Sequence, residues 1–438
     1  MKKVLILAYY YPPVGMGGVQ RAVKFVKYLS EFGWKPIVIT VKGVEYYSYD
    51  ESLLKDISSI KIVRTESLDP LRMTFIFKRV FRRKKNIVNK IYKSGKLKRL
   101  YDTVNRWIFI PDSKMLWIPF AVLKSLKIIK KENISIVFTT SPPNSSHIAG
   151  LFLKKITKVK WVADFRDYWF IEGMINYPTP LHKFANDFIR RKIIKNADHI
   201  VGVSQGIVNE LEISCKRNDS DYSVIMNGFD EEDFPKSIPV KTDDKFLIIH
   251  SGTLNYINDP GNFLNGLELA VRENNQLRKD ALFLHIGLSI DFDLKIEAKK
   301  RVIDDMIVEK GYVNHKDSVK FLLNADLLLF VLSDFCNSGV LSVKLFEYLA
   351  SNIPILAVIP DGEAADLIRK YNKGTICENK NIEKIKNAIL FYYEEWKRNK
   401  NKKTLETPFQ IPEELKKYSR KSLTNDLKNI FDKMINVN

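Results

Sequence analysis

The chain has 438 residues, of which 45% are apolar and 12% aromatic, enough for two packed cores of roughly 200 residues each. Its three cysteines are scattered and odd in number, so they predict neither a disulfide framework nor a zinc site. The net charge is +20, and no apolar run reaches the ~18 residues that a membrane-spanning helix needs. We therefore expect a soluble or peripheral protein in a reducing compartment, whose apolar N-terminal run is a buried strand.

The N-terminal region has the pattern of one βαβ unit. A strand from Lys3 leads into a turn with Gly15, Gly17 and Gly18, then into an amphipathic helix and a second strand, 36–40. This alternation predicts a parallel sheet. The turn lacks the Gly-x-Gly-x-x-Gly spacing and the following acidic residue of a dinucleotide site. It is either purely structural or brings the backbone close to a ligand at the carboxyl end of the sheet.

Residues 72–106 form a basic, aromatic segment that a regular α/β unit does not require. The segment contains 13 Lys and Arg residues and one acid, Asp102, and so carries +12 of the net charge of +20. Helical spacing places its apolar residues beside a cationic face that includes the basic run 82–85, a pattern typical of a helix on an anionic membrane. The alternative is a helix that packs its aromatic face on the first domain and leaves the basic face in solvent.

Two further loops of this region carry polar residues directly after predicted strands. His147 ends the loop TTSPPNSSH, and Asp164, Arg166 and Asp167 lie in the loop ADFRDYW. Because open α/β sheets build their sites at the carboxyl ends of their strands, these residues are site candidates. A helix-capping or solvent-facing role is the alternative for His147. An internal Arg–Asp ion pair that shapes the loop is the alternative for the second group.

The remaining chain repeats the alternation of strands and helices in six predicted βα units, the first of which ends in a turn at Gly252 and Thr253. A charged stretch with two prolines separates the two repeats and is predicted to be a linker. The pattern predicts a first domain, a linker, a second domain and a terminal helix with the bounds 1–227, 228–245, 246–411 and 412–438.

The stretch 338–359, SGVLSVKLFEYLASNIPILAVI, predicts a loop, a helix, a short turn and a buried strand. Lys344 and Glu347 share one face of this helix. We predict that Ser338 and Gly339 lead the helix, whose unpaired N–H groups would seat a phosphate. A lysine in the first turn opposes the helix dipole unless an anion is bound. The alternative is a core helix with a solvated Lys344–Glu347 pair worth about 0.3–0.5 kcal/mol.

This stretch resembles the nucleotide-sugar-binding helix of glycosyltransferase family 4, in which two glutamates lie eight positions apart. Glu347 matches the second glutamate, which implies contact with the nucleotide ribose, whereas Gly339 occupies the place of the first, which contacts the donor sugar. The sequence Lys-Leu-Phe-Glu-Tyr-Leu-Ala is similar to a bacterial branch of the family that makes surface polysaccharides. The resemblance implies the α/β GT-B fold, with two Rossmann-like doubly wound domains that face each other across a cleft. It also implies that the terminal helix returns to the first domain.

The resemblance implies roles for further residues. The donor-binding residues would be Gly252, Thr253, Ser342, Lys344 and Glu347. The catalytic residues would be Asp164, Arg166, Asp167 and Lys344. The loop facing the acceptor or phosphate would contain Gly17, Gly18, Arg21 and His147. No residue is expected to bind a metal.

The function implied is a retaining, metal-independent transfer of a hexose-type sugar from a nucleoside diphosphate sugar to a glycan or lipid-linked acceptor in surface polysaccharide synthesis. We expect no cofactor and no nucleic acid partner. Segment 72–106 would hold the protein on the cytoplasmic face of an anionic membrane. Two alternatives remain open. A sugar-nucleotide epimerase of the same fold would need several acids and histidines together in its cleft, whereas the whole chain of 438 residues has only six histidines. A nucleic-acid-binding protein would account for the basic segment alone.

Overall fold

The computed structural model describes residues 2–80, 95–169, 177–215, 217, 221–238, 244–290, 292–336, 338–399 and 407–436. The chain forms two compact units. Unit 1 comprises Met1–Asn227 together with Arg420–Asn438, and unit 2 comprises Gly228–Ser419. Residues 228–245, predicted to be a linker, group with unit 2.

Seven apolar runs of unit 1 form one parallel sheet. The strands are β1 (Lys2–Leu7), β2 (Trp34–Val41), β3 (Lys61–Thr65), β4 (Ile136–Ser141), β5 (Lys160–Phe165), β6 (His199–Gly202) and β7 (Tyr222–Val224). Their spatial order is β3-β2-β1-β4-β5-β6-β7. Since β1 pairs with both β2 and β4, the order reverses between β1 and β4, which is where open α/β sheets bind ligands.

The helices of unit 1 connect these strands. They are α1 (Gly17–Glu31), α2 (Pro70–Val80), α3 (Gly95–Ile108), α4 (Ile118–Glu132), α5 (Ser145–Thr157), α6 (Pro180–Asn196) and α7 (Gln205–Ser214). The last helix of the chain also belongs to this unit: the Phe431 ring lies 5.2 Å from the Trp34 ring and 6.0 Å from the Phe138 ring. Aromatic packing therefore holds the C-terminal residues on the unit 1 sheet.

Unit 2 contains a six-stranded parallel sheet. Its strands are β9 (Phe246–Ser251), β10 (Ala281–Ile286), β11 (Ile307–Gly311), β12 (Leu327–Val331), β13 (Ile355–Val358) and β14 (Gly374–Cys377). A short antiparallel pair, β8 (Ser237–Ile238) and β15 (Thr407–Pro408), lies apart from it. The order β11-β10-β9-β12-β13-β14 reverses between β9 and β12. The turn after β9 and the loop after β12 therefore start from neighbouring strands.

The helices of unit 2 follow the strands as the alternation predicts. They are α8 (Gly261–Glu273), α9 (Asn275–Asp280), α10 (Leu294–Lys300), α11 (His315–Leu323), α12 (Val343–Ser351), α13 (Glu363–Lys370) and α14 (Ile382–Asn399). Across both units, no helix within the described ranges is long and apolar enough to cross a bilayer.

Two details differ from the sequence interpretation. Six βα units were predicted, but no strand range was assigned over β14, because its four residues begin with a glycine and give a weak strand signal. The predicted terminal helix from residue 412 is instead a 3₁₀ turn, Glu413–Tyr418, followed by α15 (Arg420–Asn436). Ser419 is extended, with φ −65° and ψ 144°, and so separates the two.

Candidate functional site

Helix α12 begins at Val343 because Ser342 caps it. Ser342 has an extended backbone, and its side chain accepts a hydrogen bond from the Lys344 N–H at 3.2 Å. The prediction that Ser338 and Gly339 lead the N-terminus of this helix is therefore wrong. The Ser338 carbonyl instead accepts a bond from the Glu363 N–H at 2.8 Å, and a Cβ on Gly362 would lie 2.4 Å from that carbonyl. Ser338 and Gly339 thus lie in a loop that packs against the start of α13.

Lys344 and Glu347 form an ion pair on α12. The Lys344 Nζ lies 2.9 Å from Glu347 Oε2 and donates a second bond to Ser318 Oγ at 3.3 Å. The Glu347 side chain is 2% exposed and the Lys344 side chain 21%. The carboxylate is therefore fixed in the interior, while the ammonium group can be reached from solvent. The alternative of a solvated surface pair is wrong, because the carboxylate is buried.

Two buried groups face Glu347 from other elements. His315 is the first residue of α11, and its Nε2 lies 3.7 Å from Glu347 Oε1 and 3.1 Å from Asp233 Oδ2. All three side chains are almost completely buried. Neither His315 nor Asp233 was a predicted site residue, since a contact between residues so distant in sequence leaves no local pattern.

The end of β9 joins the same network. The Ser251 N–H donates to the Tyr348 hydroxyl at 2.8 Å, and the Ser251 and Ser318 hydroxyls lie 2.7 Å apart. Burial raises the pKa of the Tyr348 phenol, so this group remains a neutral hydroxyl. The network therefore ties Lys344 to the carboxyl end of β9 through Ser318.

The turn after β9 requires glycine. Gly252 has φ 154° and Gly287, after β10, has φ 146°; a Cβ on Gly287 would lie 1.8 Å from the Gly252 carbonyl oxygen. Thr253 follows in the same turn, and its carbonyl accepts a bond from Asn258 Nδ2 at 3.3 Å. The two turns bring their backbones into close contact at the carboxyl edge of the unit 2 sheet.

Two buried histidines lie beneath this turn on paired positions of β9 and β10, His250 and His285. His250 Nδ1 donates to the Leu329 carbonyl at 3.0 Å, which leaves Nε2 as an acceptor. Burial lowers the pKa of His250 to about 4 and that of His285 to about 3, so both rings are neutral at pH 7. Of these two side chains and Lys344, only the lysine offers positive charge to an anion.

In unit 1, Arg21 and Asp164 form a buried ion pair. The Arg21 guanidinium contacts both Asp164 oxygens at 2.7–3.2 Å and also donates to the Met226 carbonyl at 2.7 Å. Thr140 Oγ1 donates to Asp164 Oδ2 at 2.7 Å. Arg21 is 1% exposed and Asp164 0%. The predicted ion pair within the loop is therefore not formed: Asp164 lies in β5, and its partner is Arg21 of α1.

Arg166 links the loops after β1, β4 and β5. Its guanidinium donates to the carbonyl oxygens of Ser141 at 2.8 Å and Pro142 at 2.6 Å. A Cβ on Gly18 would lie 3.3 Å from Arg166 Nη1. The structure therefore brings Arg166 against the Gly17-Gly18 turn at the start of α1. Asp167 follows and is exposed.

His147 lies in the interior of unit 1. Its Nδ1 is 2.8 Å from Thr139 Oγ1, which also accepts a bond from Trp161 Nε1 at 2.9 Å, and its ring lies 4.3 Å from the Phe165 ring. Burial lowers the pKa of His147 to about 3, so the ring is neutral. The helix-capping alternative is wrong, because His147 is the third residue of α5 and Asn144 is at the cap position. The solvent-facing alternative is wrong, because the side chain is fully buried.

The candidate residues thus form one group in each unit. Gly252, Thr253, Ser342, Lys344 and Glu347 follow the two central strands of unit 2. In unit 1 the Gly17-Gly18 turn meets Arg166, while Arg21 and Asp164 pair beneath them. Each group stands where the strand order of its sheet reverses, as expected of ligand sites in open α/β sheets.

Two parallel-sheet, Rossmann-like units with sites at these positions define a GT-B fold, and solved structures support it. A glycosyltransferase from Rickettsia africae is similar over 100% of this chain and 99% of its own, with a TM-score of 0.62 and 16% identity. HepE from Anabaena in complex with UDP and glucose covers 99% of this chain and 100% of its own, with a TM-score of 0.64 and 12% identity. Sucrose-phosphate synthase from Thermosynechococcus elongatus covers both chains completely, with a TM-score of 0.65 and 12% identity.

Family models identify the sequence more closely than these structural likenesses do. Residues 92–233 match the model of Glycosyltransferase Family 4, and residues 231–405 match the model of Glycosyl transferases group 1. No curated protein matches the chain. The two models together cover most of the chain, which is a glycosyltransferase of the family 4 type. This assignment favours glycosyl transfer over the epimerase and the nucleic-acid-binding protein that the sequence left open.

Proposed function

We propose that the protein transfers a sugar from a nucleoside diphosphate sugar to a glycan or lipid-linked acceptor, with retention of configuration and without a metal. The observation that carries this proposal is the partly exposed Lys344 ammonium group, held by Glu347 and Ser318 at the carboxyl edge of the unit 2 sheet. HepE, solved with UDP and with UDP-glucose, and a lipopolysaccharide outer core galactosyltransferase, WaaB, are similar in fold. They support a nucleotide sugar as donor and surface polysaccharide synthesis as the setting.

In this proposal the donor lies along the start of α12. Lys344 faces the diphosphate, and the ribose hydroxyls bind Glu347 on the α12 face that it shares with Lys344, which requires the 2%-exposed carboxylate to open to the donor. The Gly252-Thr253 turn admits the phosphates close to backbone N–H groups. As the bond to the sugar breaks, charge accumulates on the leaving diphosphate, and Lys344 stabilises it. The leaving diphosphate then helps deprotonate the acceptor hydroxyl, so the chain supplies no nucleophile.

The unit 1 residues take two different parts in this proposal. Arg166, Asp167 and the Gly17-Gly18 turn contact the acceptor. Arg21 and Asp164 act as positioning residues, because each is buried and already engaged by the other. They hold the start of α1 and the end of β5 in a fixed relation.

Donor binding and transfer test the function together. Thermal unfolding is measured with UDP-, GDP-, ADP- and dTDP-sugars, and a true donor at ~100 times its Kd should add roughly 2.7 kcal/mol of apparent stability. That donor should then be consumed only when an acceptor is added, and EDTA should not change the rate. Conversion of the donor without acceptor would indicate an epimerase, and stabilisation by none of the nucleotide sugars would contradict the proposal.

Glu347→Gln is expected to raise the KM for the donor by roughly 10- to 150-fold, because a charge-assisted bond to the ribose is worth about 1.5–3 kcal/mol. Its effect on kcat should be smaller, since the ribose does not change charge during the reaction. Initial rates at varied donor concentration check this. Glu309→Gln is a control on β11, the edge strand of the same sheet, where Glu309 accepts a bond from Ser289 Oγ at 2.8 Å. An unchanged donor KM in a folded Glu347→Gln protein would remove Glu347 from the site.

Asp167→Asn is expected to reduce transfer while leaving stability unchanged, because Asp167 is exposed and the substitution removes charge without changing size. Acceptor KM and kcat are measured beside the midpoint of urea unfolding. Loss of stability in parallel with activity would show that Asp167 shapes the loop instead of contacting a substrate.

Segment 72–106 is proposed to hold the enzyme on the cytoplasmic face of an anionic membrane. Its basic run 82–85 lies outside the described residues. Within the described part, Met73, Phe77 and Val80 are exposed on α2 and line an apolar groove of about 440 Å³ together with Thr74 and Ile76. Such a face beside a cationic segment fits a helix at the lipid interface.

Replacing Arg82, Arg83, Lys84 and Lys85 together by Gln should abolish binding to anionic vesicles, since each cation near such a surface contributes about 1 kcal/mol. Co-sedimentation with anionic and with zwitterionic vesicles is the measurement. Transfer to a lipid-linked acceptor should fall, while transfer to a soluble acceptor analogue should not. Unchanged co-sedimentation, or a wild-type protein that binds no vesicle, would refute this membrane role.

A further inference from the structure

Helix α6, outside the basic segment, exposes a stripe of large apolar side chains. Leu181, Phe184 and Phe188 are 71%, 67% and 52% exposed, and their spacing of three and four residues places them on one face. The Phe184 and Phe188 rings stack at 6.4 Å. Apolar residues exposed singly are normal on a protein surface, whereas a row of this kind marks an interaction site.

A second stripe meets the first. Among the described side chains of helix α3, the large apolar ones exposed at helical spacing are Leu100, Val104, Trp107 and Ile108. The Trp107 carbonyl oxygen lies 3.1 Å from His182 Nε2, and the two rings lie 5.7 Å apart. The end of α3 therefore contacts the start of α6, and the two stripes adjoin at Trp107 and His182.

Cations border the α6 stripe. Exposed cationic residues of this helix are Lys183, Arg191, Lys192 and Lys195. The Lys192 Nζ lies 5.2 Å from the centre of the Phe188 ring. The acid of this helix, Asp187, pairs with Arg190 at 3.1 Å. The face of α6 therefore presents aromatic and aliphatic groups next to a positive border.

We propose that the exposed faces of α3 and α6 form a docking surface that inserts into the headgroup region of an anionic bilayer. Interfacial helices combine Trp, Phe and Leu with Lys and Arg, and this combination is present here. Protein interfaces are depleted in Lys, so the border of lysines favours lipid over a protein partner. The inference rests on the proposed lipid-linked acceptor, and it adds apolar insertion through α6 to the electrostatic attraction of segment 72–106.

The test uses the full-length protein and vesicles of phosphatidylcholine with roughly 30% phosphatidylglycerol. The triple variant Leu181→Ser, Phe184→Ser, Phe188→Ser should bind these vesicles at least about tenfold more weakly than wild type. The difference should persist in about 0.5 M NaCl, where charge attraction is screened. The matched control replaces three exposed apolar residues of unit 2, Ile296, Val302 and Phe391, by Ser and should bind like wild type.

Trp107 provides a direct readout of insertion. Brominated lipids should quench its fluorescence in wild-type protein, and Trp107→Phe should remove most of that quenching. Circular dichroism and transfer to a soluble acceptor analogue, both unchanged in the triple variant, would show that the variant is folded. Unchanged vesicle binding by that folded variant would overturn the inference. So would a wild-type protein that binds no vesicle but forms a dimer, if the triple variant loses that dimer. Vesicle binding needs no donor, so a failure of the proposed transferase activity would leave this result interpretable.

Discussion

Replacing Lys344 by alanine is expected to lower kcat by roughly 10- to 150-fold and to weaken donor binding as well. The Lys344 ammonium group is reachable from solvent, yet it is held within 2.9 Å of a buried carboxylate and 3.3 Å of Ser318 Oγ. It is therefore positioned before the substrate arrives. Charge on the leaving diphosphate grows in the transition state, so the lost interaction should affect turnover more than ground-state binding.

Initial-rate kinetics with the donor identified by thermal unfolding would measure both effects. Lys320→Ala is the matched control, since this lysine is exposed on α11 and pairs with Asp317 at 3.1 Å. Its rates should remain at the wild-type level. A folded Lys344→Ala enzyme with wild-type kcat would show that another group stabilises the diphosphate, and the site would have to be reassigned.

Asp164→Asn is expected to lower the free energy of unfolding by about 3–5 kcal/mol, the range for breaking one partner of a buried ion pair. Asparagine has nearly the size of aspartate, so the loss would come from charge: Arg21, which is 1% exposed, would be left with an uncompensated positive charge. Urea unfolding followed by tryptophan fluorescence is the measurement.

A surface pair of the same unit gives the control. Lys421 and Glu31 lie 2.8 Å apart and are both exposed, so Glu31→Gln should change the stability by less than about 1 kcal/mol. The double replacement Arg21→Met, Asp164→Leu should be less destabilising than Asp164→Asn, because it leaves no unpaired charge in the interior. If Asp164→Asn were as stable as wild type but inactive, Asp164 would be a catalytic residue and its positioning role would be wrong.

The class of fold could be predicted from the sequence because it depends on local patterns. Strands that are buried on both faces are continuous apolar runs, and the helices between them are amphipathic. The pattern located β2, predicted over 36–40 and observed over Trp34–Val41, to within two residues, and it failed at β14, whose four residues begin with Gly374. The Lys344–Glu347 pair could also be predicted from the sequence, since residues three apart on a helix are neighbours.

Long-range pairing could not be predicted in the same way. Asp164 and Arg166 are two residues apart, which suggested an ion pair within the loop, yet Asp164 pairs with Arg21, 143 residues away. Arg166 instead holds the carbonyl oxygens of Ser141 and Pro142. Which arginine meets which aspartate depends on the order of strands in the sheet, and that order is not encoded in local spacing.

The sequence by itself determined the two α/β repeats, the family and the helix that carries Lys344 and Glu347, because each of these depends on residues close together in the chain. Only the tertiary structure decided which groups are buried. It enclosed His147 and Asp164, left Lys344 within reach of solvent, and joined His315, Ser318 and Ser251 to the α12 pair. Burial and contact are properties of elements packed together, and they set charge, protonation and access only after the sheet has formed.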